Sequence, residues 1–134
     1  ARRRGLRAMA REWAQGMVYP SRLGTPVFEA VLDMFERSSA EAFAAQIEAL
    51  LARRDATALL ATIDVPTLVL CGREDAWSPP SRHEFMHRHI AGSTLAVIEH
   101  CGHMSTMEAP AAVNAALAGW LGGPLANRAA PDGV

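Results

Sequence analysis

The stretch Val65-Pro66-Thr67-Leu68-Val69-Leu70-Cys71-Gly72-Arg73-Glu74-Asp75 decides the fold. Val65-Pro66 breaks what precedes it, because the residue before a proline is pushed out of the helical region. Thr67 to Cys71 is then a continuous run without polar alternation. A strand buried on both faces reads this way, as in a parallel sheet lying under helices. The chain leaves that strand through Gly72 and reaches a carboxylate, Asp75, four residues after Cys71. Thr94-Leu95-Ala96-Val97-Ile98 repeats the pattern, and Cys101-Gly102-His103 follows it. Between the two runs, Ser78-Pro79-Pro80 opens a helix that extends to about Ile90. Strand, helix and strand in this order predict a parallel βαβ unit. Two strands alone make a poor parallel sheet and leave an edge open, so this unit wants a larger sheet to dock on.

Both titratable groups lie in loops leaving the C-terminal ends of their strands, where open α/β sheets place their sites. Adjacent parallel strands are ~4.8 Å apart, which brings Asp75 within hydrogen-bond reach of His103. The carboxylate would fix the imidazole tautomer, leaving the second nitrogen as general base. Gly102 is expected to let the backbone turn tightly before the histidine. Alone, Asp75 reads as a turn residue and His103 as a loop residue. The pair, each one loop past a buried run, is far more specific.

Upstream of Ile63 the chain reads as helices. Leu6, Met9, Ala10, Trp13 and Met17 recur at three- and four-residue steps, ended by Tyr19-Pro20. Thr25 is expected to cap the next helix, with Pro26 at its first position and Val27, Phe28, Val31, Leu32 and Phe35 on its buried face. Ser38-Ser39-Ala40-Glu41 is expected to form a capping box between Ser38 and Glu41. Phe43, Ile47, Leu50 and Leu51 follow at helical spacing, and Asp55 can cap a short helix bearing Leu59 and Leu60. Downstream, Pro110, Val113, Leu117, Trp120 and Leu121 mark a last helix that Gly122-Gly123-Pro124 stops. The tail from Leu125 to Val134 is expected to be loose.

These motifs have a family look. Residues Val65 to Asp75, then Pro79, Ile98-Glu99-His100-Cys101-Gly102-His103-Met104, Glu108, Pro110 and Trp120-Leu121 resemble the C-terminal part of the α/β-hydrolase fold superfamily. The resemblance is strong from Ile63 to Leu121. It implies an α/β fold class: a partial hydrolase sheet of two parallel strands with flanking helices, preceded by a helical cap. Residues 1–62 would be the cap roofing the substrate pocket, 63–122 the core, and 123–134 the tail. Asp75 would be the triad acid and His103 the triad base. Trp77 and Met104 would contact substrate, although Trp77 can equally be packing. The family's nucleophile sits on a Gly-x-Ser-x-Gly elbow before the cap. Ser21, Ser38, Ser39, Ser78, Ser81, Ser93 and Ser105 all lack that pattern. The chain is therefore expected to lack the nucleophile, the oxyanion hole and most of the sheet, and to show no triad-type turnover alone. Its substrates are expected to be small esters, lactones or related acyl compounds. A serine nucleophile would favour acyl chemistry, and an aspartate would fit epoxide or haloalkane hydrolysis.

A rival reading comes from His83-Glu84-Phe85-Met86-His87, an H-E-x-x-H pattern on a helix that could hold zinc, with Glu84 as base and Glu108 as third ligand. Against it, Ile90 stands where the longer zinc-protease motif needs glycine, and the helix is polar on most sides. His100 and Cys101 beside His103 suggest a metal cluster more weakly; a loop residue and a packing residue are the simpler reading. A third possibility is a non-catalytic helical interaction module. Trp13, Met9, Met17, Phe28 and Phe35 read as helix core rather than substrate contacts.

Composition sets the outer limits. The chain has 134 residues, half hydrophobic and a fifth charged, with a net charge of −1. That balance predicts no nucleic-acid or membrane partner, and no cofactor is implied. Arg2, Arg3, Arg4, Arg7 and Arg11 read as a solvated basic flank. Cys71 and Cys101 make no disulfide framework and fit a reducing cytoplasm. No apolar run approaches the ~18 residues that span a bilayer. A small-molecule substrate, a missing N-terminal half and self-association are the partners expected.

Overall fold

The computed structural model describes residues 5–125. Helix α1 (Leu6–Trp13) runs into a 3₁₀ turn, Ala14–Met17, and a second turn covers Pro20–Arg22. Helices α2 (Pro26–Glu36) and α3 (Ala40–Leu51) follow, then a 3₁₀ segment, Thr57–Thr62. Strand β1 (Leu68–Gly72), helix α4 (Pro80–His89) and strand β2 (Thr94–Ile98) form the βαβ unit. A single turn, α5 (Ser105–Glu108), and helix α6 (Pro110–Trp120) complete it. The strands are parallel, with Leu68 opposite Thr94 and Gly72 opposite Ile98. The architecture is α/β, mostly helical, with a two-stranded parallel sheet.

Two cores result. Ala10, Ala14, Met17, Val18, Phe28, Val31 and Leu32 are buried together between α1 and α2. Phe35, Trp77, Met104 and Met107 pack onto them. The second joins Ile98, Cys101 and Val113, with Leu70, Ala109 and Ala116 against it. Outside the cores, α1 and α2 are also tied by charge. Arg7 reaches Glu29, Asp33 and Glu36, and Arg11 reaches Glu29. Asp33 and Glu36 raise the Arg7 guanidinium further above its usual range, Asp33 most of all.

Several local expectations shift. The cap of α3 is Ser39, whose hydroxyl accepts from Ala42 N at 3.0 Å. Ala42 then occupies the third helical position, so Glu41 cannot close a box with Ser38. Thr25 precedes α2 and Pro26 starts it, but the Thr25 hydroxyl donates to Arg22 O at 2.6 Å instead of accepting from the helix. Asp55 accepts from both the amide and the hydroxyl of Thr57, which hold its carboxyl below the usual range. Neither strand is sealed on both faces: Val69, Cys71 and Ile98 are buried, whereas Leu68, Leu70 and Val97 are half-buried and Thr94 is exposed. Gly122-Gly123-Pro124 does not stop the chain at Trp120. Backbone turning continues as one π-turn, Leu121–Leu125. Pro124 has no N–H to donate to Trp120 O, so the ordinary α-helical bond cannot form there. Of the tail expected from Leu125 to Val134, Leu125 ends this π-turn and 126–134 lie outside the described residues.

Candidate active site

The site lies where two loops leave β1 and β2 side by side. Arg73 N donates to Ile98 O at 2.8 Å, and Glu74 N to Cys101 O at 2.9 Å. Cys101 N donates back to Glu74 Oε2 at 2.9 Å. The strand ladder is thus continued past its end by backbone and one carboxylate. Gly72 is what lets the loops touch. A Cβ there would stand 2.1 Å from Cys101 O and 2.3 Å from Gly102 O, closer than atoms can approach. At the rim, Arg73 pairs with Glu99, which raises the guanidinium and lowers the Glu99 carboxyl.

Asp75 is only 5% exposed. Its two oxygens divide their work. Oδ1 accepts from Trp77 N at 2.9 Å and Ser78 N at 2.8 Å. This local turn follows from an aspartate placed two and three residues before free backbone amides. Oδ2 faces His103 Nδ1 at 2.9 Å. With Nδ1 carrying its proton and donating to Asp75, Nε2 is left as the acceptor. Among the described residues Nε2 has no hydrogen-bond partner, and the His103 side chain is 37% exposed. A buried carboxylate thus orients a part-exposed imidazole.

The loop bearing His103 is held by a residue that sequence reasoning did not place beside it. Glu108 is 5% exposed and accepts three contacts from backbone amides. Tyr19 N lies 2.6 Å from Oε2. Gly102 N lies 3.1 Å from Oε1 and 3.2 Å from Oε2. Met104 N also donates to Met17 O at 3.0 Å. His103 is therefore flanked by two residues tied to the segment 17–19. Gly102 serves this contact rather than a tight turn: its φ is not in the left-handed region, and a Cβ would meet Val18 C at 2.7 Å and Tyr19 N at 2.8 Å. The left-handed residue of the loop is His100, with φ of 54°, its ring 5.6 Å from that of Tyr19.

Trp77 and Met104 both pack against the first core. The Trp77 ring also lies 5.5 Å from the His103 imidazole. Cys71 and Cys101 are buried free thiols. Burial pushes both thiols up, that of Cys101 to about 11 with help from Glu108. The zinc arrangement does not assemble among the described residues. His87 Nδ1 is 2.8 Å from Ser93 Oγ and His83 Nδ1 is 3.3 Å from Pro79 O, contacts that leave each Nε2 without a converging third ligand. Glu108 is committed to the base loop. Among the described residues no three metal-ligating side chains converge.

A sequence profile of the alpha/beta hydrolase family matches residues 1–116. The chain belongs to the alpha/beta hydrolase family. It is similar to the pimeloyl-[acyl-carrier protein] methyl ester esterase of Neisseria meningitidis serogroup C, 49% identical over 51 residues, covering 38% of this chain and 20% of that one. It is similar to 3-oxoadipate enol-lactonase 2 of Acinetobacter baylyi, 38% identical over 81 residues, covering 60% of this chain and 30% of that one. Among solved structures, a thermophilic esterase from Thermogutta terrifontis superposes with a TM-score of 0.82 at 36% identity, covering 90% of this chain and 45% of that one. The chain spans less than half the length of these relatives. No helix of its described residues is long and apolar enough to cross a membrane.

Proposed function

We propose that this chain is the acid- and base-bearing part of a hydrolase acting on carboxylic esters, lactones or related acyl compounds. The observation that carries the reading is the buried Asp75 carboxylate on His103 Nδ1, with Nε2 unpartnered. Nε2 would take the proton of the attacking group as that group adds to the acyl carbon. Asp75 would stabilise the imidazolium so formed. The same proton would pass to the leaving oxygen as the ester bond breaks. Both transfers use side chains alone and call for no cofactor. The attacking group and the oxyanion donors come from outside this chain, since no serine here stands in a Gly-x-Ser-x-Gly elbow. Residues 1–62 would roof the acyl group, and 63–122 would dock against the remaining sheet. The names of the relatives, a methyl ester esterase and an enol-lactonase, support acyl substrates over epoxides.

The test compares this chain alone with a polypeptide joining it to a nucleophile-bearing half. Hydrolysis of p-nitrophenyl acetate is expected only in the joined form, and His103→Ala should lower it by about 10³-fold or more. Normal esterase turnover by the chain alone, or a joined form indifferent to His103→Ala, would overturn the proposal.

A further inference from the structure

A row of aromatic rings leads away from the His103 imidazole. Trp77 is first, its centroid 5.5 Å from that of the imidazole. Trp13 of α1 follows at 4.3 Å from Trp77. Phe35 of α2 and Phe43 of α3 meet Trp13 edge-on, at 5.4 Å and 5.6 Å. Three rings from α2, α3 and the loop after β1 thus converge on the Trp13 indole. The indole of Trp77 is seated by Gly16, where an added Cβ would stand 3.1 Å from its Nε1. Its backbone is fixed as well, because Trp77 N belongs to the turn around Asp75.

Packing alone does not explain Trp13. It touches three other rings and is still 41% exposed. A tryptophan serving only the core would be covered, as Phe28 and Leu32 are. An open indole one ring away from the His103 imidazole offers a surface for a ligand. Ring quadrupoles favour offset or edge-to-face contact with another ring over contact with a saturated group of the same size. A substituent on a carbonyl held beside Nε2 would meet Trp77 first and Trp13 next.

We infer that the Trp77–Trp13 row is a subsite for a planar aromatic substituent of the ester. The inference rests on the reading of His103 as the base and narrows its substrate class. Titration of this chain with methyl benzoate and with methyl cyclohexanecarboxylate tests it, followed by the His103 imidazole resonances and tryptophan fluorescence. Methyl benzoate should bind roughly 2- to 10-fold more tightly, a margin set by ring–ring contact. It should also shift the His103 resonances by ring current. Trp13→Leu should abolish the preference and Trp13→Phe should keep most of it. If Trp13→Leu does not fold, Phe43→Leu at the edge of the row should reduce the preference in its place. Equal affinities, a preference that survives both leucine variants, or silent His103 resonances would each overturn the inference. The catalytic reading fails separately, through turnover that ignores His103→Ala. Turnover that needs His103 without any aromatic preference would sink only this subsite.

Discussion

Replacing Glu108 by alanine removes a carboxylate that two backbone amides depend on. Gly102 N is buried, so its orphaned N–H has no water to turn to. That penalty is about 1–3 kcal/mol. Tyr19 N is only partly buried and can recover a water, which places its loss near the lower end, about 1 kcal/mol. Together the change should destabilise the chain by about 2–4 kcal/mol, a large share of the ~5–15 kcal/mol that holds an ordinary domain together. Glu108→Gln should fall between alanine and wild type. Its carbonyl can serve one amide, but its NH₂ then faces the other donor. Urea denaturation followed by tryptophan fluorescence gives the free energies. Amide hydrogen exchange at Gly102 and Tyr19 should accelerate together in both variants, and the His103 resonances should broaden. A Glu108→Ala protein within about 0.5 kcal/mol of wild type, with Gly102 still protected, would refute the clamp, since 0.5 kcal/mol is what an ordinary surface change costs.

Asp75→Asn should put the imidazole proton on the wrong nitrogen, because an amide NH₂ donates to Nδ1. The ¹⁵N pattern of His103 should invert, and turnover of the joined hydrolase should fall about 10⁴-fold; an unchanged ¹⁵N pattern would count against the assignment. Gly72→Ala forces a methyl into two carbonyl oxygens of the base loop, at 2.1 Å and 2.3 Å. It should destabilise by about 3 kcal/mol, the upper end for overpacking, and urea midpoints decide it. The Cys101 thiol, raised from 9.0 to about 11, should resist alkylation at pH 8 until urea unfolds the chain. Its unfolded form ionises first, so this thiol's contribution to stability is complete below pH 9 and is lost as pH rises towards 11. Cys101→Ala should flatten that alkaline loss, and a loss of unchanged steepness would rule the thiol out as its source.

The fold was legible wherever short-range chemistry settles it. β2 begins at Thr94 and ends at Ile98, because a turn at Gly92-Ser93 and a polar Glu99 bound the apolar run. The Asp75–His103 contact was legible for the same reason, each residue lying in the loop that follows such a run. Caps were misplaced by one residue where two candidates adjoin: Ser38 and Ser39 differ only in which amide the helix presents. Glu108 could not be read as part of the site, since its partners lie 89 and 6 residues away. The spacing from His103 to Glu108 marks the residue without saying what it holds. Trp13 was misread as core because helical periodicity reports which side faces inward. It does not report whether enough atoms lie there to cover an indole. The zinc pattern has the right spacing on α4, but among the described residues no third ligand converges on it. Periodicity has no means of showing that.

The ties from residues 17–19 to Gly102, Met104 and Glu108 couple two motions that a lidded pocket would otherwise keep separate. Lifting Tyr19 strips Glu108 of one amide and loosens the neighbour of His103 in the same step. The helical segment therefore cannot swing open at this end without disturbing the loop that bears His103. Residues 17–19 thus form the fixed side of that segment, and the imidazole keeps its place only while that side stays shut.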